Sequence, residues 1–160
     1  MPTLDEVYRK FGEVSEGAQL LETELGNLLL THKCIEAGLL DNPDSNRATD
    51  IYDRLNRQTL GQLVRSLGQA GLPIGNIEQL LSDALVSRNR LVHSFYLKHN
   101  FRRNSDAGRE VMLRDLEAIH GTLLDAYKAV LLHSGVDLDE LAAEDLGDGE
   151  LPTGHLPIRT

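Results

Sequence analysis

Apolar residues recur at three- and four-residue steps along most of this chain, the spacing that marks one face of a helix. From about Leu4 to Ala37 the positions are Val7, Phe11, Val14, Ala18, Leu21, Leu25, Leu28 and Leu29, then Cys34 and Ile35 after a slip. Thr3 followed by Glu6 fits a capping box, and Gly38 supplies a left-handed stop. Gly12, Gly17 and Gly26 each weaken such a helix by about 1 kcal/mol relative to Ala, which predicts a use in close helix packing. Residues 41–47 have a loop composition, Asp-Asn-Pro-Asp-Ser-Asn-Arg. A short helix is expected from about Thr49 to Asn56 and another from Thr59, as cap, to Gln69. Gly71-Leu-Pro-Ile-Gly75 breaks the pattern. A long helix is then expected from about Asn76 to His99, a basic turn over 100–105, and a last long helix from the Ser105 cap to His133, with Gly135 as its stop.

No segment alternates in the manner of a strand, and no internal repeat is visible. The expected fold is all-α, a mostly antiparallel helical bundle of about four to five helices, three of them long. Residues 1–135 form the domain. Residues 136–160 form an acidic tail, expected to be disordered beyond a turn or two at Leu138 to Ala143.

Composition narrows the class. At 160 residues and 41% hydrophobic content, one domain can bury its core without disulfide or metal. Aromatics reach only 4%, with no Trp, which disfavours a β-sandwich or barrel. The single cysteine, Cys34, excludes an intramolecular disulfide and a Cys-cluster zinc site, and is expected to be a small core residue. No Gly-Lys-Ser/Thr phosphate loop occurs, and no cofactor is indicated. Acids and bases interrupt the N-terminal stretch, and no apolar run reaches membrane-spanning length, so the expected compartment is the cytoplasm, without a membrane partner.

The net charge of −9 argues at first against a polyanionic partner. Its distribution removes that objection. Ser134 to Thr160 holds seven acids and one base, a net −6. Val86 to Arg114 holds seven bases (Arg88, Arg90, Lys98, Arg102, Arg103, Arg109 and Arg114) against Asp106 and Glu110, a net +5. A basic centre is thus joined to an acidic tail. The tail is either a solvated end or a segment that folds over the basic centre and competes with RNA.

Within that centre the helical stripe is interrupted. At helical steps through 77, 81, 84, 88, 91 and 95, Arg88 falls where an apolar residue is expected. Asn89 and His93, four apart, stack on one face beside Leu85, Val92 and Tyr96. Three polar groups therefore lie on or beside a surface expected to be buried. They need an acid elsewhere in the bundle, a second subunit or a ligand. Structurally, Arg88 would pair with an acid of another helix, Asn89 would bond a carbonyl, and His93 would be a satisfied core histidine.

The run Arg88-Asn89-Arg90-Leu91-Val92-His93, late in a long helix of an all-α chain and just before a basic turn, resembles the HEPN superfamily, the higher-eukaryote and prokaryote nucleotide-binding fold. Its hallmark is Arg, four to six residues, then His, often with Asn directly after Arg. The resemblance covers roughly residues 4–133. It implies a metal-independent ribonuclease, with two subunits meeting through their motif helices in one composite cleft. His93 would be the general acid/base in attack of the ribose 2′-hydroxyl on phosphorus. The products would be a 2′,3′-cyclic phosphate and a 5′-hydroxyl. Arg88 would hold the scissile phosphate and Asn89 would orient phosphate or histidine. Arg90, Arg102 and Arg103 could supply a sequence-independent grip on RNA phosphates. A toxin or anti-phage effector, with an antitoxin or other protein partner, is the biological setting implied. Phe95 stands where the adenylylated toxins of the family carry Tyr, and Tyr96 is one residue further on. Other members are non-catalytic modules for protein interaction or nucleotide binding, and that alternative stays open here.

Other signals are weaker. Glu117 and His120 match half of a di-iron bundle site, but no second Glu-x-x-His exists and no metal is expected. His32 and His99, near helix ends, are expected to favour the helix dipole, His99 with RNA contact as the alternative.

Overall fold

The computed structural model describes residues 1–72, 75 and 77–143, with side chains to residue 140. Six α-helices are present among them: α1 (Leu4–Glu36), α2 (Ser45–Asn56), α3 (Leu60–Gln69), α4 (Glu78–Lys98), α5 (Asp106–His133) and α6 (Leu138–Ala143). A 3₁₀ turn at Arg102–Asn104 joins α4 to α5. The expected all-helical bundle is what forms.

The helix ends follow local chemistry. Glu6 N donates to Thr3 Oγ1 at 3.2 Å, and Thr3 N donates to Glu6 Oε2 at 2.6 Å, completing the capping box of α1. Gly38 (φ 69°) turns the chain out of α1, with Leu39 N donating to the Cys34 carbonyl at 3.0 Å. Ser105 Oγ accepts from Gly108 N at 3.1 Å and starts α5, which ends at Gly135 (φ 83°). One boundary differs from expectation. The Asp44 carboxylate accepts from Arg47 N at 3.1 Å, so α2 begins at Ser45, and the segment expected to be loop through Arg47 forms its first turn.

The three long helices run up, down and up. Lys10 meets Glu117 and Ser134 meets Glu24, so α1 and α5 lie side by side in the same direction. Glu22 meets Arg88 while Phe11 meets Phe95, so α4 runs opposite to α1. The core is the seam they share: Val7, Val14, Leu21, Leu25 and Leu29 from α1, Leu81, Ala84, Leu91 and Phe95 from α4, and Met112, Leu116, Ile119, Leu123 and Val130 from α5. The short pair contributes Ile51, Leu55, Leu60, Leu63 and Leu67 against α1. Each such residue contributes roughly 1.5–3 kcal/mol by leaving water. Cys34 is half-buried at the edge of this core.

The close backbone approach falls elsewhere than expected. A Cβ on Gly12 or Gly26 would meet nothing within 4 Å, and one on Gly17 would make ordinary contact with the His120 ring at 3.7 Å. Those exposed or half-exposed positions do not need glycine for packing. Gly108 does: a Cβ there would lie 2.0 Å from the Arg102 carbonyl oxygen. The 3₁₀ turn rests directly on the first turn of α5.

The tail begins as the helix α6, and Lys128 Nζ lies 2.5 Å from Asp139 Oδ1. The remainder of the expected disordered segment, 144–160, lies outside the described residues.

Candidate functional site

Helix α4 presents three kinds of surface. Its buried stripe is Leu81, Ala84, Leu91 and Phe95. Val92, included in the sequence-based stripe, is more than half exposed. The stripe is therefore narrower than expected. At about 100° per residue, His93 falls on the opposite side of the helix. Asn89 and His93 are both exposed, not buried beside the core as expected. No hydrogen bond or ion pair engages His93 among the described residues.

Arg88 occupies the boundary. Its side chain is half-buried against α1, where Nε donates to Glu22 Oε1 at 3.0 Å. Nη1 makes a long contact of 3.4 Å with Asn89 Oδ1, and Nη2 has no acceptor among the described residues. Phe11, Ala18, Leu91 and Val92 complete the groove in which this pair lies. The acid required by an arginine on the stripe is thus Glu22. Its sequence separation of 66 residues left no local signal to find it.

The end of α4 holds a second polar cluster. His99 is 1% exposed, and its Nε2 lies 2.7 Å from Asp115 Oδ2 on α5. Arg102 Nη1 lies 3.1 Å from His99 Nδ1. Arg90 Nη2 reaches Asp115 Oδ1 at 2.5 Å and Lys98 Nζ reaches Oδ2 at 3.5 Å. Burial pushes the Asp115 carboxyl up. The hydrogen bond with His99 and the charges of Arg90 and Lys98 outweigh it and hold the group below the usual carboxylate range. His99, expected to serve the helix dipole, is a packed core group, stacked on Phe95 at 4.6 Å between ring centroids.

Of the six residues singled out from sequence, Arg88 and Asn89 are brought together and His93 follows one turn later on the outer face. Arg90 and Arg102 are drawn toward Asp115 and His99. Arg103 is exposed and in no ion pair among the described residues; its backbone carbonyl accepts from Arg109 Nη1 at 2.9 Å. Tyr96 packs on Phe11 at 5.1 Å, and burial, with Tyr8 nearby, raises its hydroxyl pKa despite the opposing charge of Arg103. Val86, Val92 and Leu97, each within four helical residues of Asn89 or His93, are more than half exposed, as is Phe101 beyond the end of α4.

Glu117 and His120 both turn to Lys10, whose Nζ lies 2.7 Å from Glu117 Oε2 and 3.2 Å from His120 Nδ1. No helix among the described residues is long and apolar enough to cross a membrane. No protein-family model, curated protein or solved structure matches the chain.

Proposed function

We propose that this chain is a HEPN-type, metal-independent endoribonuclease acting as a dimer, with Arg88, Asn89 and His93 at its site. The observation that carries the proposal is the outward display of His93 and Asn89, with Asn89 touching an Arg88 whose Nη2 has no acceptor among the described residues. Histidine can serve as both proton acceptor and proton donor, and the exposed ring of His93 is open to a ligand. His93 takes the proton of the ribose 2′-hydroxyl as O2′ bonds to phosphorus. Arg88 holds the phosphate oxygens as charge builds on them. The P–O5′ bond breaks, and a protonated His93 of the pair returns a proton to the 5′ oxygen. The products are a 2′,3′-cyclic phosphate and a 5′-hydroxyl.

The dimer places α4 against its counterpart. Val86, Val92 and Leu97 add exposed apolar surface within four residues of Asn89 or His93 on the helix, a surface suited to a self-complementary contact across a two-fold axis. RNA contacts beyond the scissile phosphate fall to Arg103, and to Arg102 and Arg90 at the edges of the Asp115 cluster.

The decisive experiment is RNA cleavage in EDTA by wild type and His93→Ala. Wild type should release ends carrying cyclic phosphate. His93→Ala should lose about 100- to 10,000-fold in rate, with melting temperature and dimer unchanged. Equal degradation by both proteins would remove the activity from this site.

A second function, a non-catalytic helical interaction module, is favoured by one observation: Arg88 and Arg90 each already have a carboxylate within the chain. It predicts no cleavage under any condition, and weakened assembly on Arg88→Ala or Asn89→Ala.

A further inference from the structure

We infer that Glu22 is the positioning residue for the phosphate-binding arginine: it anchors Arg88 by its inner nitrogen and so directs the terminal edge of the guanidinium toward the open face of α4. This rests on the ribonuclease function proposed above.

A guanidinium offers five N–H donors in a planar fork. An acid that neutralised Arg88 against a phosphate would be expected to take the terminal pair. Glu22 instead meets Nε, 3.0 Å away, from a neighbouring helix. Nη2 keeps both hydrogens, and Nη1 has only the 3.4 Å contact with Asn89 Oδ1. The edge that can take two phosphate oxygens is therefore still available. The same contact engages the Asn89 oxygen, leaving its Nδ2 donors for the ligand.

Both partners are about three-quarters removed from solvent, at 23% and 27% side-chain exposure. The groove walls, Phe11, Leu91 and Val92, limit the other places the long arginine could go. An unanchored arginine must surrender rotamer freedom when it grips a phosphate. One already held loses less on binding, which is the benefit of preorganisation. Glu22 touches neither phosphate nor ribose, so it acts through Arg88.

The test compares wild type, Glu22→Gln, Glu22→Ala and His93→Ala. Three quantities are read: kcat and KM on a single-stranded RNA, affinity for the same oligomer made non-cleavable by 2′-deoxy substitution, and melting temperature. Glutamine keeps the oxygen that accepts from Nε, so Glu22→Gln should stay within about threefold of wild type in kcat and affinity. Glu22→Ala should lose about tenfold or more in kcat and bind the non-cleavable oligomer more weakly. A merely structural tie would lower the melting temperature of Glu22→Ala and leave kcat and affinity alone. A carboxylate that competes with phosphate would give tighter binding by Glu22→Ala. Either result overturns the positioning role while cleavage that depends on His93 still stands. Wild type that neither cleaves nor binds the oligomer overturns both the ribonuclease function and the role of Glu22.

Discussion

His99 Nε2 lies 2.7 Å from Asp115 Oδ2, inside the bundle. Arg102 carries only donors and meets the other ring nitrogen at 3.1 Å, so Nδ1 accepts and Nε2 carries the hydrogen given to Asp115. Six residues earlier on the same helix, His93 faces water. Of the two histidines at the end of α4, one is thus packed against α5 and the other left exposed.

Removing Asp115 leaves His99 and Arg90 without their shared acceptor. Asp115→Ala should cost about 2–3 kcal/mol in equilibrium urea unfolding at neutral pH. Asp115→Asn isolates the charge. The folded carboxyl pKa is lowered from an ordinary 3.8, so the stabilisation is complete above the unfolded value and fades as pH falls through the lower folded one. The melting-temperature gap between wild type and Asp115→Asn should be constant near neutrality and narrow below about pH 4. A gap independent of pH would deny the carboxylate this role.

Gly108→Ala should destabilise the junction of the 3₁₀ turn with α5. The new methyl would meet the Arg102 backbone 2.0 Å away, and backbone cannot move as a side-chain tip can. A loss of about 1–3 kcal/mol is expected, whereas Gly12→Ala should stabilise α1 by up to about 1 kcal/mol. Chemical denaturation of both variants checks the contrast.

Phe95→Ala and Val92→Ala separate the two sides of α4. Phe95 is 1% exposed and stacks on Phe11 and Tyr96. Its truncation should cost about 3–5 kcal/mol. Val92→Ala, on the open side, should stay within about 0.5 kcal/mol in the monomer. Similar losses for both would mean that the stripe is wider than the structure gives it.

Leu97→Lys addresses the proposed dimer. Leu97 is 79% exposed beside His93. A charge there should leave monomer stability within about 0.5 kcal/mol, convert the dimer to monomer by light scattering, and abolish RNA cleavage with it. A variant that remains dimeric at the same concentrations would place the subunit contact elsewhere.

Much was legible in the linear pattern because it depends on near neighbours. Thr3 with Glu6, Ser105 with Gly108 and Gly38 are contacts within four residues, and the three- and four-residue apolar steps impose helices wherever they persist. The pairing of Asn89 with His93 was equally legible, since residues four apart share one face of a helix, whereas Arg88 lies in line with the buried stripe. What failed had a common cause. The apolar run of α4 is broader than the stripe that α1 and α5 can cover, so Val92 is left outside and Asn89 and His93 turn outward. Apolar character shows which residues can be buried, not which will find a neighbour.

By itself, then, the sequence determined the helices and most of their caps, all consequences of short-range hydrogen bonding and periodicity. Only the tertiary structure decided that Glu22 anchors Arg88, that Asp115 gathers His99 and Arg90, and that Gly108 is the close approach. The first two sets of partners come together across α1, α4 and α5, from positions up to 66 residues apart, while Gly108 meets the 3₁₀ turn just before its own helix. Such contacts are set by how three helices share one core, which no local pattern encodes.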